Sequence, residues 1–262
     1  MNRRLKEWCR QLLPRTMRPH RILSGRLKGF WIATSWHDYP AAILGRTERA
    51  LLEWFEENVR DGETWLDVGA QYGYTAVALS RLVGSHGRVF AFEPMVATAG
   101  HLARTRALNG LDQLTVIPCG LGAPETLELR RLPSVRGMVD STIQPTDGAT
   151  EVFLLARLDW FWSSIASEDL AIDGIKIDVQ GMEIDAIVGM ASLLRTFQPK
   201  LVVEIHHGVE RGRLLDLLES LGYSRTAAPI DGVVGGSEPE YLDDRSYFFI
   251  IPRVTTARRS DA

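Results

Sequence analysis

The stretch that most constrains this chain is Thr64-Trp65-Leu66-Asp67-Val68-Gly69-Ala70-Gln71-Tyr72-Gly73-Tyr74-Thr75, which runs on into the helix-like Ala76-Val77-Ala78-Leu79-Ser80. An apolar run ends in an acid, and two glycines four apart lead into a helical pattern. This is a strand, a tight turn and a helix, the unit with which α/β sheets place ligands beyond the carboxyl ends of their strands. Gly69 and Gly73 permit positive φ and let a ligand approach the backbone with no Cβ in the way. The spacing is D-x-G-x-x-x-G rather than G-x-G-x-x-G, so the dinucleotide fingerprint is not met.

The same rhythm continues on both sides. Leu51, Leu52, Phe55 and Val59 share one side of a preceding helix that Thr47 is placed to cap. Arg88–Phe92 reads as a second strand, a helix runs on to about Leu108 and stops at Asn109-Gly110, and Leu114–Ile117 reads as a third strand. Alternation at Thr126–Leu129 and Val152–Leu155 predicts an inserted pair of strands with a polar loop, Ser134–Thr150, between them. Strands at Asp173–Val179 and Lys200–His206 follow, each with an apolar-faced helix after it, and Tyr247–Ile251 is the last. Strand alternating with helix means a mostly parallel sheet covered on both faces.

With 262 residues and 45% hydrophobic content the chain is sized for one large α/β domain. A net charge of −3 supplies no global field toward nucleic acid, and no nucleic-acid partner is expected. Cys9 and Cys119 have neither disulfide-framework nor zinc spacing, which favours a reducing, cytoplasmic setting. No run of 18 apolar residues predicts a membrane span, and Glu7 and Arg10 interrupt the place where a secretory signal needs its apolar core. The first 30 residues are basic, with nine Lys and Arg side chains against Glu7. Leu5, Trp8, Cys9, Leu12 and Leu13 fall on one helical face, so residues 1–22 either dock on an anionic membrane or protein partner or pack on their own domain.

From Gly73 to Glu93 is about the spacing at which a nucleotide-binding acid follows its glycine turn. A carboxylate there accepts both ribose hydroxyls. Asp67, by contrast, would repel a pyrophosphate, so a ligand with a ribose and a positive centre fits better. S-adenosylmethionine has both. The expected cofactor residues are Asp67, Gly69, Ala70, Gln71, Gly73, Glu93 and Pro94, with Asn109 and Gly120 at the ends of the next helix and strand.

At this point a family resemblance emerges. Asp67-Val68-Gly69-Ala70-Gln71-Tyr72-Gly73, Phe92-Glu93-Pro94, Leu158-Asp159, Lys176-Ile177-Asp178-Val179-Gln180-Gly181-Met182-Glu183 and Val203-Glu204-Ile205 resemble, in order, the motifs of the FkbM methyltransferases. Gln71 stands where that family usually has Asn, and Gln180 where it usually has Glu. The resemblance, from about Ser24 to Pro252, implies a Rossmann-like class I methyltransferase fold with a seven-stranded sheet and an N-terminal extension. It further implies S-adenosylmethionine as cofactor and methylation of a hydroxyl on a sugar, polysaccharide or other small molecule.

An alcohol is a weak nucleophile and gains from a general base. Asp178, with Glu204, His206 and His207 at the end of the next strand, are the base candidates, and Asp178, Glu204 and His206 are the expected catalytic residues. Lys176 shares a strand face with Asp178, and an ion pair of Lys176 with Asp178 or Glu204 that merely holds strands together is the alternative. The ligand types of Asp178, Glu204 and His206 suit a metal. Nothing in their spacing demands one, and none is expected. Two other functions compete: a nicotinamide-dependent oxidoreductase, and a non-catalytic binding module docking through its basic N-terminus. The expected division is a basic extension over residues 1–44, the methyltransferase domain over 45–252 and a polar tail over 253–262.

Overall fold

A computed structural model describes residues 11–139, 141, 150–167, 170–231 and 241–252. Most of the expected N-terminal amphipathic helix, most of the polar loop after Val139 and the tail beyond Pro252 lie outside the described residues. Among the described residues no helix is long and apolar enough to cross a membrane.

The chain begins with an antiparallel hairpin, β1 (Arg18–Arg21) and β2 (Trp31–Thr34), then two helices, α1 (Pro40–Leu44) and α2 (Arg49–Asn58). The βα units follow: β3 (Thr64–Val68), α3 (Tyr74–Val83), β4 (Arg88–Phe92), α4 (Val96–Asn109) and β5 (Leu114–Ile117). An excursion contains β6 (Gly120–Leu121), β7 (Glu128–Val135), β8 (Met138–Val139) and β9 (Thr150–Ala156). The main rhythm resumes through α5 (Leu158–Ile165), β10 (Gly174–Ile177), α6 (Glu183–Gly189), α7 (Ala191–Phe197), β11 (Lys200–Ile205) and α8 (Arg211–Ser220). It closes with β12 (Ala227–Pro229) and β13 (Arg245–Phe249).

Seven strands form the main sheet in the order β12-β13-β11-β10-β3-β4-β5. Its central members are parallel, and β13 runs antiparallel to both its neighbours. The α/β expectation and the seven-stranded sheet are both met. Side-chain alternation explains the two-sided burial. Leu66, Val68, Phe90 and Phe92 face one core with Leu158, Ile187, Leu194 and Leu214 of the helices. Trp65, Val89 and Ala91 face the other, with Phe55, Leu79 and Leu102. Ile22, Leu27 and Ile32 of the lead-in segment join this second core. Each such buried side chain contributes about 1.5–3 kcal/mol.

Four local readings change. Thr47 does not cap α2: the helix begins at Arg49, and the Thr47 hydroxyl donates instead to Glu48 at 3.3 Å. The segment after Gly181 makes two helices broken at Met190 rather than one. The excursion's first strand extends through Val135, and Ser134-Val135 pairs with Met138-Val139, so part of the expected polar loop is a hairpin. Finally, β12 went unforeseen because three residues ending in a proline carry no readable alternation.

Candidate active site

β10 and β3 are neighbours at the middle of the sheet, and their carboxyl ends open into a cleft. Its walls include Gly69, Ala70, Gln71, Glu93, Pro94, Gly120 and Asp178. Six of the nine expected cofactor residues therefore share one cleft with one expected catalytic residue. Gly69, at φ +81°, is required here by close approach, since a Cβ would stand 1.8 Å from the backbone oxygen of Asp178. Gly73, at φ +91°, leads into α3, and a Cβ there would meet Leu102 Cδ1 at 2.2 Å.

Glu93 directly follows β4 and is almost fully buried, accepting the backbone N–H of Gln71 at 3.0 Å and of Met95 at 2.9 Å. Burial pushes its carboxyl up to about 8, although both N–H bonds and Lys176 oppose the shift. Each oxygen keeps a lone pair beyond its N–H contact.

Asp67 is placed differently from expectation. It is fully buried and lies beneath the cleft wall, where its carboxylate accepts the Thr75 hydroxyl at 2.7 Å and pairs with Lys176 Nζ at 3.2 Å. Its charge is met from within, so it does not present itself to a cationic ligand. Lys176 also lies 3.3 Å from Asp178 Oδ2. Of the two pairings weighed for Lys176, the Asp178 pair forms, and Asp67 is the partner that strand order alone did not suggest. Burial works against the ammonium, but Asp67 and Asp178 outweigh it and hold Lys176 protonated well above the ordinary lysine range.

Asn109 is not in the cleft. α4 runs back across the sheet, and its last residue spends its amide on the backbone of Trp31 and Thr105, at 2.8 Å in each contact. It ties the hairpin strand β2 to the helix end.

Parallel register of β10 with β11, which sets Ile177 opposite Val203, gathers the second group of charges. His206 Nε2 lies 3.4 Å from Asp178 Oδ1 and 3.6 Å from Glu204 Oε1. Glu204 borders a neighbouring cleft, accepting the Ser246 hydroxyl at 3.3 Å. Burial and the nearby charges of Asp178 and Glu48 push its carboxyl upward. His207 turns outward to Asp243 at 3.0 Å and is far more exposed. Asp178, Glu204 and His206 bring one ligand-type atom each within 4.8 Å of one another. Positive charge is already supplied there by Lys176, and both ring nitrogens of His206 are engaged, by Glu183 at 2.5 Å and by Gln180 at 2.8 Å. We assign no metal to this group.

Sequence reasoning missed Glu48 and Tyr74, both of which line the cleft. Glu48 also lines the neighbouring one, and burial, with Asp178 next in effect, raises its carboxyl above the ordinary range. One signal does mark the site in the backbone. Glu48, Gln71 and Gln180 all hold positive φ, 50°, 48° and 50°, and all three border the cleft. Non-glycine residues in that region cost about 1–3 kcal/mol each and gather where function requires a fixed geometry. Gln71 and Gln180 are also the two departures from the resembled motifs. The sequence also offers residues 30–39, rich in aromatics, and the loop 134–142 as walls for an acceptor; of these, Tyr39, Met138 and Val139 border the cleft, whereas Phe30 and Trp36 pack against the core.

Residues 67–225 match the family described as "Methyltransferase FkbM domain". Among curated proteins, the ribosomal protein L11 methyltransferase of Laribacter hongkongensis is 31% identical over 138 residues, covering 47% of this chain and 42% of that protein. The enzyme of that name from Thiobacillus denitrificans is 30% identical over 118 residues, covering 39% and 38%. The chain thus spans about two-fifths of the length of these relatives. Among solved structures, the methyltransferase FkbM from Methylobacillus flagellatus KT is 21% identical, with 75% of this chain and 50% of that chain covered and a TM-score of 0.45. Aeropyrum pernix fibrillarin is 15% identical, with 89% and 81% covered and a TM-score of 0.49.

Proposed function

Because the chain belongs to the FkbM methyltransferase domain family, we propose that it is an S-adenosylmethionine-dependent O-methyltransferase acting on a hydroxyl of a sugar, polysaccharide or other small molecule. The observation that carries this reading is Glu93, a buried carboxylate whose free lone pairs border the same cleft as Asp178. The fit of the cofactor rests on that carboxylate and on the Gly69 turn, where a Cβ would strike backbone.

When bound, S-adenosylmethionine would supply an electrophilic methyl group with a neutral thioether as leaving group. Glu93 would accept the ribose hydroxyls, while Gly69, Ala70 and Gln71 would shape the turn against the ligand. Asp178, about a quarter exposed, takes the acceptor's hydroxyl proton as the oxygen attacks. Glu204 and His206 support Asp178 from behind, and Glu48, Tyr39 and Tyr74 border the acceptor's side. Holding both reactants in line supplies most of the acceleration, with effective molarities on the order of 10⁵ M or more. Residues 45–252 form the methyltransferase domain in this reading, residues 1–44 lead into it, and residues 253–262 form a tail.

The test is a screen of hydroxylated acceptors with tritiated-methyl S-adenosylmethionine. Incorporation into an oxygen that survives mild base, as an ether does and an ester does not, is the expected result. Base-labile label, as on a carboxyl oxygen, or label on nitrogen would overturn the assignment of a hydroxyl acceptor.

A further inference from the structure

Behind Asp178 stands a group that the methyl-transfer step does not use. Glu183 opens α6 with no solvent exposure. Its Oε1 accepts the Gly181 N–H at 3.2 Å and lies 2.5 Å from His206 Nδ1. Its Oε2 has no hydrogen-bond partner among the described residues. A buried carboxylate is costly unless a cation and hydrogen bonds meet it. Among the described residues, His206 is the ionisable nitrogen within ion-pair distance of it.

We propose that Glu183 is a positioning residue that fixes the His206 ring and holds it as an imidazolium, so that Asp178 has a cation on each side, Lys176 at 3.3 Å and His206 at 3.4 Å. The inference rests on the reading of Asp178 as the group that takes the hydroxyl proton.

The groups facing the ring come from every element packed around it. Glu183 approaches from α6, Asp178 and Gln180 from the turn after β10, and Glu204 from the ring's own strand. Burial opposes the charged ring, but the bond to Glu183 and the charges of Asp178, Glu183 and Glu204 outweigh it and raise His206 above the ordinary histidine range. Gln180 gives this arrangement its particular form. It contacts Nε2 at 2.8 Å but brings no charge, whereas the resembled motif usually has Glu there. Its amide can turn its oxygen toward a protonated Nε2, since the two ends of an amide exchange places readily. The fully buried anion on the ring is then Glu183, on the side away from the acceptor.

The test is nitrogen-15 NMR of the imidazole rings in the full-length protein, with His206→Gln to assign the signal. At pH 7 both ring nitrogens of wild-type His206 carry protons. In Glu183→Gln the His206 titration moves to lower pH by roughly one unit or more. A purely structural role for Glu183 would leave that titration in place. A neutral wild-type ring at pH 7, or a titration that Glu183→Gln leaves in place, overturns the proposal. If Glu183→Gln fails to fold, the wild-type ring alone decides it. S-adenosylhomocysteine calorimetry on the same samples separates the outcomes: a protonated His206 in a protein that binds no S-adenosylhomocysteine would sink the methyltransferase reading and leave the Glu183–His206 pair standing.

Discussion

Replacing Lys176 by methionine is expected to destabilise the protein by about 3–5 kcal/mol, the usual cost of breaking one side of a buried ion pair. Lys176 is 3% exposed and Asp67 is fully buried beside it. The pair need not be strongly stabilising in itself, because desolvating both charges offsets most of their attraction. The asymmetry lies in removing one partner. Without the ammonium, Asp67 keeps, among the described residues, the hydrogen bond from the Thr75 hydroxyl, while its negative charge stays inside the sheet. At roughly 2–4 °C per kcal/mol for a chain of this size, the melting temperature should fall by on the order of 10 °C. Lys176→Met combined with Asp67→Asn should recover a large part of that loss, since the orphaned charge is then gone. A single-variant loss within ~0.5 kcal/mol, the range of ordinary surface substitutions, would mean that something other than Lys176 neutralises Asp67.

Asp178→Ala should lower turnover by about 10²–10⁴-fold, the range in which a positioned general base contributes. Asp178 leaves β10 through a backbone hydrogen bond to Val68 at 3.0 Å, so its place depends on the sheet rather than on its side chain. The variant therefore keeps the Gly69 turn and Glu93, and S-adenosylhomocysteine affinity should stay near wild type. Asp178→Asn separates base from bystander, because it retains volume and hydrogen-bonding capacity but is no proton acceptor. Both variants should be slow if the carboxylate takes the proton. Turnover preserved in either one would remove Asp178 from the mechanism.

What could be read in the sequence follows the range over which the physics acts. The glycine turn, the acid-ended strands and the helix stop at Gly110 are local, and the structure has them where periodicity and turn chemistry predict. That Gly69 to Gln71 and Glu93 share one cleft was legible for the same reason, since they belong to one βαβ unit. Asn109 shows where local reading fails: stopping a helix says nothing about which edge of the sheet that helix end reaches. Asp67 shows a second limit. Its acid was visible, but its counter-ion comes from β10, more than a hundred residues later in the chain and paired beside β3 only through the sheet order. Glu48 carries no motif, and its left-handed φ and shared place between two clefts exist only once the lead-in segment packs against the sheet.

The central claim is that the Glu93 cleft binds the adenosyl ligand of a methyltransferase, and calorimetry with S-adenosylhomocysteine tests it most directly. Burial raises the Glu93 carboxyl to about 8, so near pH 7 the free protein holds a proton there. Ribose hydroxyls donate to the carboxylate form, and binding must then expel that proton. Titrations at pH 7 in buffers of different ionisation enthalpy should show saturable binding with net proton release. Affinity should rise as the pH climbs through about 8 and then level off, and Glu93→Ala should weaken binding and abolish the release. Saturable binding with those two signatures is the predicted result, and a wild-type protein that gives no binding heat in any buffer and no displacement of labelled S-adenosylmethionine would contradict the account.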